Sequence, residues 1–135
     1  MYLLESLSLT GNRISELGGL KNLRSLANLN LSGNKIRVID ELSELVGLSE
    51  LDLSHNQVDD ISPLRCLVFL RNLNISNNRL SSTNQLQIFW AFLGFKQFFY
   101  FDNPFFGEEN GQLNYFELFE AKKEQQCYKW PFFLM

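Results

Sequence analysis

A spacing of 22 residues recurs from the start of this chain to about position 80, and it limits the folds available more than any other feature. Its clearest copy runs from Leu48 to Leu67, LSELDLSHNQVDDISPLRCL. Five aligned positions keep the interval, one of them always asparagine. The columns are Leu4, Leu26, Leu48, Leu70; Leu7, Leu29, Leu51, Leu73; Leu9, Leu31, Leu53, Ile75; Asn12, Asn34, Asn56, Asn78; and Ile14, Ile36, Val58, Leu80. The period predicts stacked units that bury their hydrophobic residues against one another.

The pattern inside each unit predicts its local structure. Around Leu51 and Leu53, apolar and polar residues alternate with period two, which is typical of a half-buried strand. The later hydrophobic residues, such as Val58 and Ile61, are three apart and indicate helical or 3₁₀ turns. The predicted fold is therefore α/β: a leucine-rich repeat solenoid with a short parallel concave sheet, a helical or 3₁₀ convex wall and a C-terminal cap. The recurring asparagine is predicted to satisfy backbone groups where each strand turns inward.

The regular period breaks near its C-terminal end. We predict that residues 1–103 form four regular repeats and one lengthened, degenerate repeat, and that residues 104–135 form the cap. After Asn78 the next match comes three residues late, and Ser82 with Gln85 is a capping pattern for an inserted helix. A second helix start at Asn114 would close the core at this end.

The first strand pattern begins with the first residues, which leaves no room for an N-terminal cap. Met1 to Leu4 would expose apolar surface beside an open sheet edge. Three explanations stay open: a chain that is a fragment, an edge that pairs or swaps with another copy, or an edge that another domain covers.

These repeats resemble the SDS22-like class of leucine-rich repeat proteins over residues 4–103. That class includes a regulatory subunit of protein phosphatase 1, an axonemal dynein light chain and a spliceosomal A-prime subunit, so the resemblance implies a surface that docks protein partners. Residues 56–64 also resemble the bacterial internalin repeat. In the cap, Asn103-Pro104 matches the class, whereas Tyr115-Phe116 and Tyr128-Lys129 compete for its Tyr-Arg pair.

Charge and composition narrow the function classes. A net charge of -3 argues against nucleic acid, which is bound mainly by clustered Lys and Arg. The aromatic stretch at residues 88–106 is interrupted by Lys96, so its apolar run is too short to cross a membrane. Two separated cysteines, Cys66 and Cys127, and the lack of a secretory signal predict a cytoplasmic or nuclear protein. No cofactor or metal site is predicted.

The outward-facing positions of the predicted sheet are the candidate site. Stacked in strand order, they form columns of Asn and Ser side chains around an acidic centre at Glu50 and Asp52, with two phenylalanines at the C-terminal end. A third column, which includes Ser54 and Ser76, is also predicted to face outward. The predicted partner-binding residues are Asn28, Asn30, Glu50, Asp52, His55, Asn72, Asn74, Gln97, Phe99 and Phe101.

Catalysis is not predicted from these residues. Ser54, His55 and Asp52 suggest a triad, but neighbouring strand residues point to opposite faces and no oxyanion element accompanies them. The predicted function is a noncatalytic protein-interaction module, a regulatory or scaffold subunit, that binds a partner helix or loop on its concave face. The alternative is a structural piece of a larger multidomain or cytoskeleton- or axoneme-associated protein, with self-association through the uncapped edge.

Overall fold

A computed structural model describes residues 3–81, 97–99 and 102–104, and residues 97–99 by their backbone alone. Within these ranges lie five strands and three 3₁₀ segments, which alternate along the repeats. The predicted inserted helix, the cap from residue 105 onward and Cys127 fall outside the described residues. The strands are β1 (Ser6–Ser8), β2 (Asn28–Asn30), β3 (Glu50–Asp52), β4 (Asn72–Asn74) and β5 (Gln97–Phe99).

The five strands form one parallel sheet in sequence order. Leu7, Leu29, Leu51 and Leu73 are register partners from strand to strand, as the 22-residue spacing predicts. In the last pairing Leu73 lies beside Phe98, which is 25 residues later. The interval between these two register partners is three residues longer than between the earlier ones, and the sheet register continues across it.

The convex wall is built from 3₁₀ segments at Gly18–Leu20, Asp40–Glu44 and Ser62–Cys66. Pro63 lies in the first turn of the third segment. Backbone N–H groups in a first turn have no partner within the helix, so the N–H that proline lacks costs no hydrogen bond. Each of the two longer segments closes with an N–H bonded to the carbonyl three residues earlier, as in Leu67 to Leu64. Segments this short gain their stability from packing on the next repeat.

The hydrophobic core lies between the sheet and this wall. Leu26, Leu48 and Leu70 at the strand entrances are buried, as are Leu53 and Ile75 beyond the strands. The core thins at the first repeat, where Leu7, Leu9, Ile14 and Leu23 are only partly buried. Leu3 is 85% exposed and Leu4 42% exposed, and among the described residues β1 pairs with β2 alone.

The asparagine column forms a hydrogen-bonded ladder through the solenoid. The Nδ2 group of Asn56 donates to the carbonyls of Leu53, Ser54 and, in the preceding repeat, Leu31, at 2.9–3.2 Å. Its Oδ1 accepts the N–H of Ile36 at 3.0 Å. Asn34 and Asn78 repeat this arrangement. The predicted structural role of the column is confirmed, and Asn34, Asn56 and Asn78 each tie their repeat to the one before.

Candidate protein-interaction surface

The concave face of the sheet forms an open groove of about 590 Å³. Six of the predicted partner-binding residues lie together in it, spread over three adjacent strands. The leucine at the centre of each strand turns its side chain into the core, and the polar lining of the groove comes from the residues on either side. The lining residues are Ser6, Leu7, Ser8, Asn28, Leu29, Asn30, Glu50, Leu51, Asp52, Asn72, Leu73 and Asn74.

The other four predicted residues lie elsewhere. Gln97 and Phe99 have backbones in register with Asn72 and Asn74, which continues the two columns into β5. Their side chains and all of Phe101 lie outside the described residues. His55 is exposed in the turn beyond β3 and does not line the groove.

The third column of the prediction requires a correction. Ser54 and Ser76, expected to face outward, are only 5% and 8% exposed. Each strand has only three residues, so the period-two alternation stops before these serines and the chain is already turning inward. Ser54 Oγ donates to Asp52 Oδ1 at 2.6 Å, and Ser76 Oγ makes the same bond to Asn74. This bond also occupies the hydroxyl that a catalytic triad would require.

In β2, β3 and β4, the last residue of the strand is held in one orientation by the serine two positions later. Asn30 Oδ1, Asp52 Oδ1 and Asn74 Oδ1 each accept the backbone N–H of that serine, at 2.9–3.1 Å. Side chains of this kind commonly bond to the backbone two residues on. The sequence signal is an Asn or Asp two residues before a Ser, and we had not assigned it this role from sequence.

The first residues of the strands, which are register partners, form hydrogen bonds from one strand to the next. Asn28 Nδ2 donates to Ser6 Oγ at 3.0 Å, and Asn72 Nδ2 donates to Glu50 Oε1 at 3.2 Å. The bond to Glu50 sets the direction of the Asn72 amide. Asn72 Oδ1 is buried, and no donor among the described residues reaches it.

Charge is distributed unevenly over the described surface. The ion pairs Arg24–Glu44 (3.4 Å) and Arg37–Asp59 (2.9 Å) lie away from the groove and are largely exposed, so each contributes at most about 1 kcal/mol. Within the described residues Glu50 forms no ion pair, and neither does Asp52. The groove therefore presents two carboxylates whose charge no described cation neutralises.

The residues just beyond the strands adopt a left-handed backbone in every repeat. Gly11 and Gly33 have φ of 71° and 68°, and His55, Asn77 and Asp102 have φ of 55–56°. Asn and Asp tolerate this region better than most residues, and His more than β-branched ones. The position of His55 is therefore explained by the turn as well as by its exposure.

Substitutions of His55 test whether this position is determined by the left-handed backbone of the turn. We expect His55→Gly to leave the free energy of unfolding within about 0.5 kcal/mol, because relief of backbone strain offsets the greater freedom of glycine in the unfolded chain. His55→Val should lower it by about 1–2 kcal/mol, since a β-branched residue fits this region poorly. Urea unfolding measures both, and a larger loss for glycine than for valine would contradict a backbone role.

A second surface feature was missed from sequence. Val46 and Val68 occupy the same position of successive repeats and are 50% and 61% exposed, and Phe69, next to Val68, is 65% exposed. They lie in the turns that lead from the convex wall back to the strands. The available signal was that these residues are apolar at positions outside the repeating hydrophobic columns.

Residues 3–81, 97–99 and 102–104 contain no group of three or more potential metal ligands. In the same ranges no helix has the length and apolar character that crossing a membrane requires. Cys66 is a free, exposed thiol.

The repeats of this chain are similar in sequence and in structure to those of known proteins. A family model described as leucine-rich repeats (two copies) matches residues 3–46, 24–66 and 46–88. No curated protein sequence matched the chain. Among solved structures, an internalin (inlF) of Listeria monocytogenes is similar, with 31% identity and a TM-score of 0.71 over 74% of this chain.

Two further solved structures are similar over most of the chain. Internalin inlC2 of Listeria monocytogenes has 29% identity and a TM-score of 0.70 over 75% of it. A leucine-rich repeat protein of Leptospira interrogans has 25% identity and a TM-score of 0.64 over 74%. The chain spans only 29%, 43% and 26% of the lengths of these three structures, in the order given.

Proposed function

This chain belongs to the leucine-rich repeat family, and we propose that it is a noncatalytic module that binds a helix or loop of another protein in its concave groove. The observation that carries the proposal is the groove itself, in which Asn28, Asn30, Glu50, Asp52 and Asn72 line one surface with Asn74. Domains of this family generally mediate protein–protein interaction, and an open groove lined by polar side chains is a surface in which a partner element could be held.

The rigidity of the groove supports binding. Its polar side chains are fixed in part by bonds to serines and to one another, as in Asn72 to Glu50 and Asn74 to Ser76. A surface that is already ordered loses little conformational entropy when a partner binds. Four strand-to-strand steps of about 4.8 Å give a sheet about 19 Å across, which is wide enough for one helix or loop.

The proposal is tested by reversing charge in the groove. We expect the double variant Glu50→Lys, Asp52→Lys to lose at least about 90% of the binding to a partner recovered from the native cell. The reason is that two positive charges replace the two negative charges that face the partner, and they would repel the groups that the carboxylates attract. The interaction should first be reconstituted from purified components, and the dissociation constant then measured by calorimetry.

The matched control is Glu16→Lys, Glu41→Lys, which makes the same change of charge outside the groove. Glu16 is exposed and Glu41 lies in the second 3₁₀ segment of the convex wall. Binding should be kept in this control. Equal affinity of both variants and the wild type would refute concave binding, and a loss confined to the control would move the site to the convex wall.

A second candidate function, a structural part of a larger assembly, is favoured by the open edge beside β1. The exposed Leu3 and Leu4, together with the half-buried Leu7, make a surface on which a further repeat or a second copy could stack. Light scattering separates the candidates: concentration-dependent self-association that is lost in Leu4→Lys supports stacking of copies, and a monomer at all concentrations argues against it.

Two narrower assignments also remain proposals. Membership of the SDS22-like class rests on the repeat consensus, and the regulatory or scaffold role follows from that resemblance. The cytoplasmic or nuclear location is supported by the free thiol of Cys66, because exposed unpaired cysteines are more common in reducing compartments.

A further inference from the structure

We propose that the partner presents an arginine side chain, which binds between Glu50 and Asp52 at the centre of the groove. This inference rests on the proposed function and adds the chemistry of the partner to it. The polar atoms of the groove divide into those that are already hydrogen-bonded and those that are free to bind a partner.

The outer row of the groove consists of Asn30, Asp52 and Asn74, which are register partners on adjacent strands. In each of them Oδ1 is occupied by the following serine. The second polar atom of each side chain, Nδ2 of the asparagines and Oδ2 of Asp52, makes no hydrogen bond within the described residues, and none of these atoms is buried. Along this row the free groups are therefore an amide donor at Asn30, a charged acceptor at Asp52 and an amide donor at Asn74. They lie on neighbouring strands, which are about 4.8 Å apart.

Glu50 adds a second carboxylate on the same face, two residues before Asp52. One of its oxygens accepts the Asn72 amide at 3.2 Å, and the other has no partner among the described residues. Residues two apart on a strand are about 7 Å from each other, so one planar group can reach both carboxylates.

The centre of the groove therefore offers the unbonded oxygens of two carboxylates, and no cation of the described residues forms an ion pair with either of them. A guanidinium group carries five N–H donors in a plane and bonds carboxylates in pairs, whereas an ammonium group is a compact point charge with three donors. Arginine is thus the side chain that satisfies the acceptors of both Glu50 and Asp52. The flanking Nδ2 groups of Asn30 and Asn74 would donate to carbonyl or carboxylate oxygens of the partner on either side of that arginine.

The neighbouring repeats indicate a substitution that removes the negative charge of Asp52 and keeps the fold. Asp52→Asn gives the third repeat the residue that the second and fourth repeats already carry, at Asn30 and Asn74, and keeps the Oδ1 acceptor for Ser54. Combined with Glu50→Gln, it replaces two carboxylates by amides of the same shape. Glu16→Gln, Glu41→Gln is the control of equal charge outside the groove, and Asn28→Trp fills the groove from an exposed lining position.

The experiment selects binders from short randomised peptide pools that carry a fixed central arginine, lysine or glutamine. The immobilised proteins are the full wild-type chain and each variant. We expect the arginine pool to be enriched about tenfold or more over the glutamine pool on the wild type, the ratio expected of a charge-assisted hydrogen bond. The enrichment should disappear on Glu50→Gln, Asp52→Asn and remain on the control.

Other outcomes overturn the inference in distinguishable ways. Equal enrichment of the three pools, lost on Asn28→Trp, would reject the arginine and leave concave binding intact. Equal enrichment of the arginine and lysine pools would reject the guanidinium assignment. Enrichment that neither groove variant reduces, or no enrichment of any pool, would reject the inference and count against concave binding as well.

Discussion

Replacing Asn56 by alanine is expected to lower the free energy of unfolding by about 3–4 kcal/mol, because several buried backbone groups lose their partner and each costs about 1–3 kcal/mol. Asn56 is 8% exposed and bonds three carbonyls and one N–H. Two of these groups, Leu31 O and Ile36 N, belong to the preceding repeat. The substitution therefore weakens both the third repeat and its attachment to the second.

The matched control is Asn12→Ala in the first repeat. Asn12 is exposed and its amide bonds only Leu9 O and Thr10 O of its own repeat, at 2.9 and 3.3 Å. We expect a loss of about 1 kcal/mol or less, since water can replace these bonds. Urea unfolding followed by circular dichroism measures both values. Equal losses at the two positions would show that the ladder does not couple the repeats.

The comparison of sequence and structure explains which features a periodic sequence can reveal. The strands, their register and the ladder were predictable because each is dictated by residues that recur at a fixed interval, such as Leu51 and Asn56. The delayed pairing of Leu73 with Phe98 was predictable as well, since a sheet register tolerates an insertion only between strands. These features depend on burial, and burial leaves a hydrophobic pattern.

The parts of the candidate site that sequence did not reveal depend on local geometry. Ser54 and Ser76 continue the polar alternation of the strand, but the backbone turns immediately after them, at His55 and Asn77, and takes the serines inside. No hydrophobic period records that turn. Likewise, which oxygen of Asp52 is free depends on a bond to Ser54, and a list of outward residues cannot distinguish the two oxygens.

Replacing Leu53 by alanine is expected to lower the free energy of unfolding by about 3–5 kcal/mol, the usual range for a leucine truncated in a packed core. Leu53 is fully buried and belongs to the central repeat, with a repeat stacked on each side. The cavity would be bordered by the repeats before and after it, so it cannot close by the movement of one side chain. Chemical denaturation with a probe in the sheet measures the loss.

The matched substitution is Leu9→Ala, the equivalent position of the first repeat. Leu9 is partly buried and packs on the core from one side only, so its truncation removes fewer contacts and should cost about 1–2 kcal/mol. In a solenoid, stability is the sum of repeat and interface terms, and the difference between Leu53→Ala and Leu9→Ala thus reports mainly the interface that the first repeat lacks. If the two losses were equal, the described packing of the first repeat would be incomplete, and Leu9 would have to be covered in solution. If the difference is found, the central repeats that carry Glu50 and Asp52 are the most rigid part of the sheet, as a preformed binding groove requires.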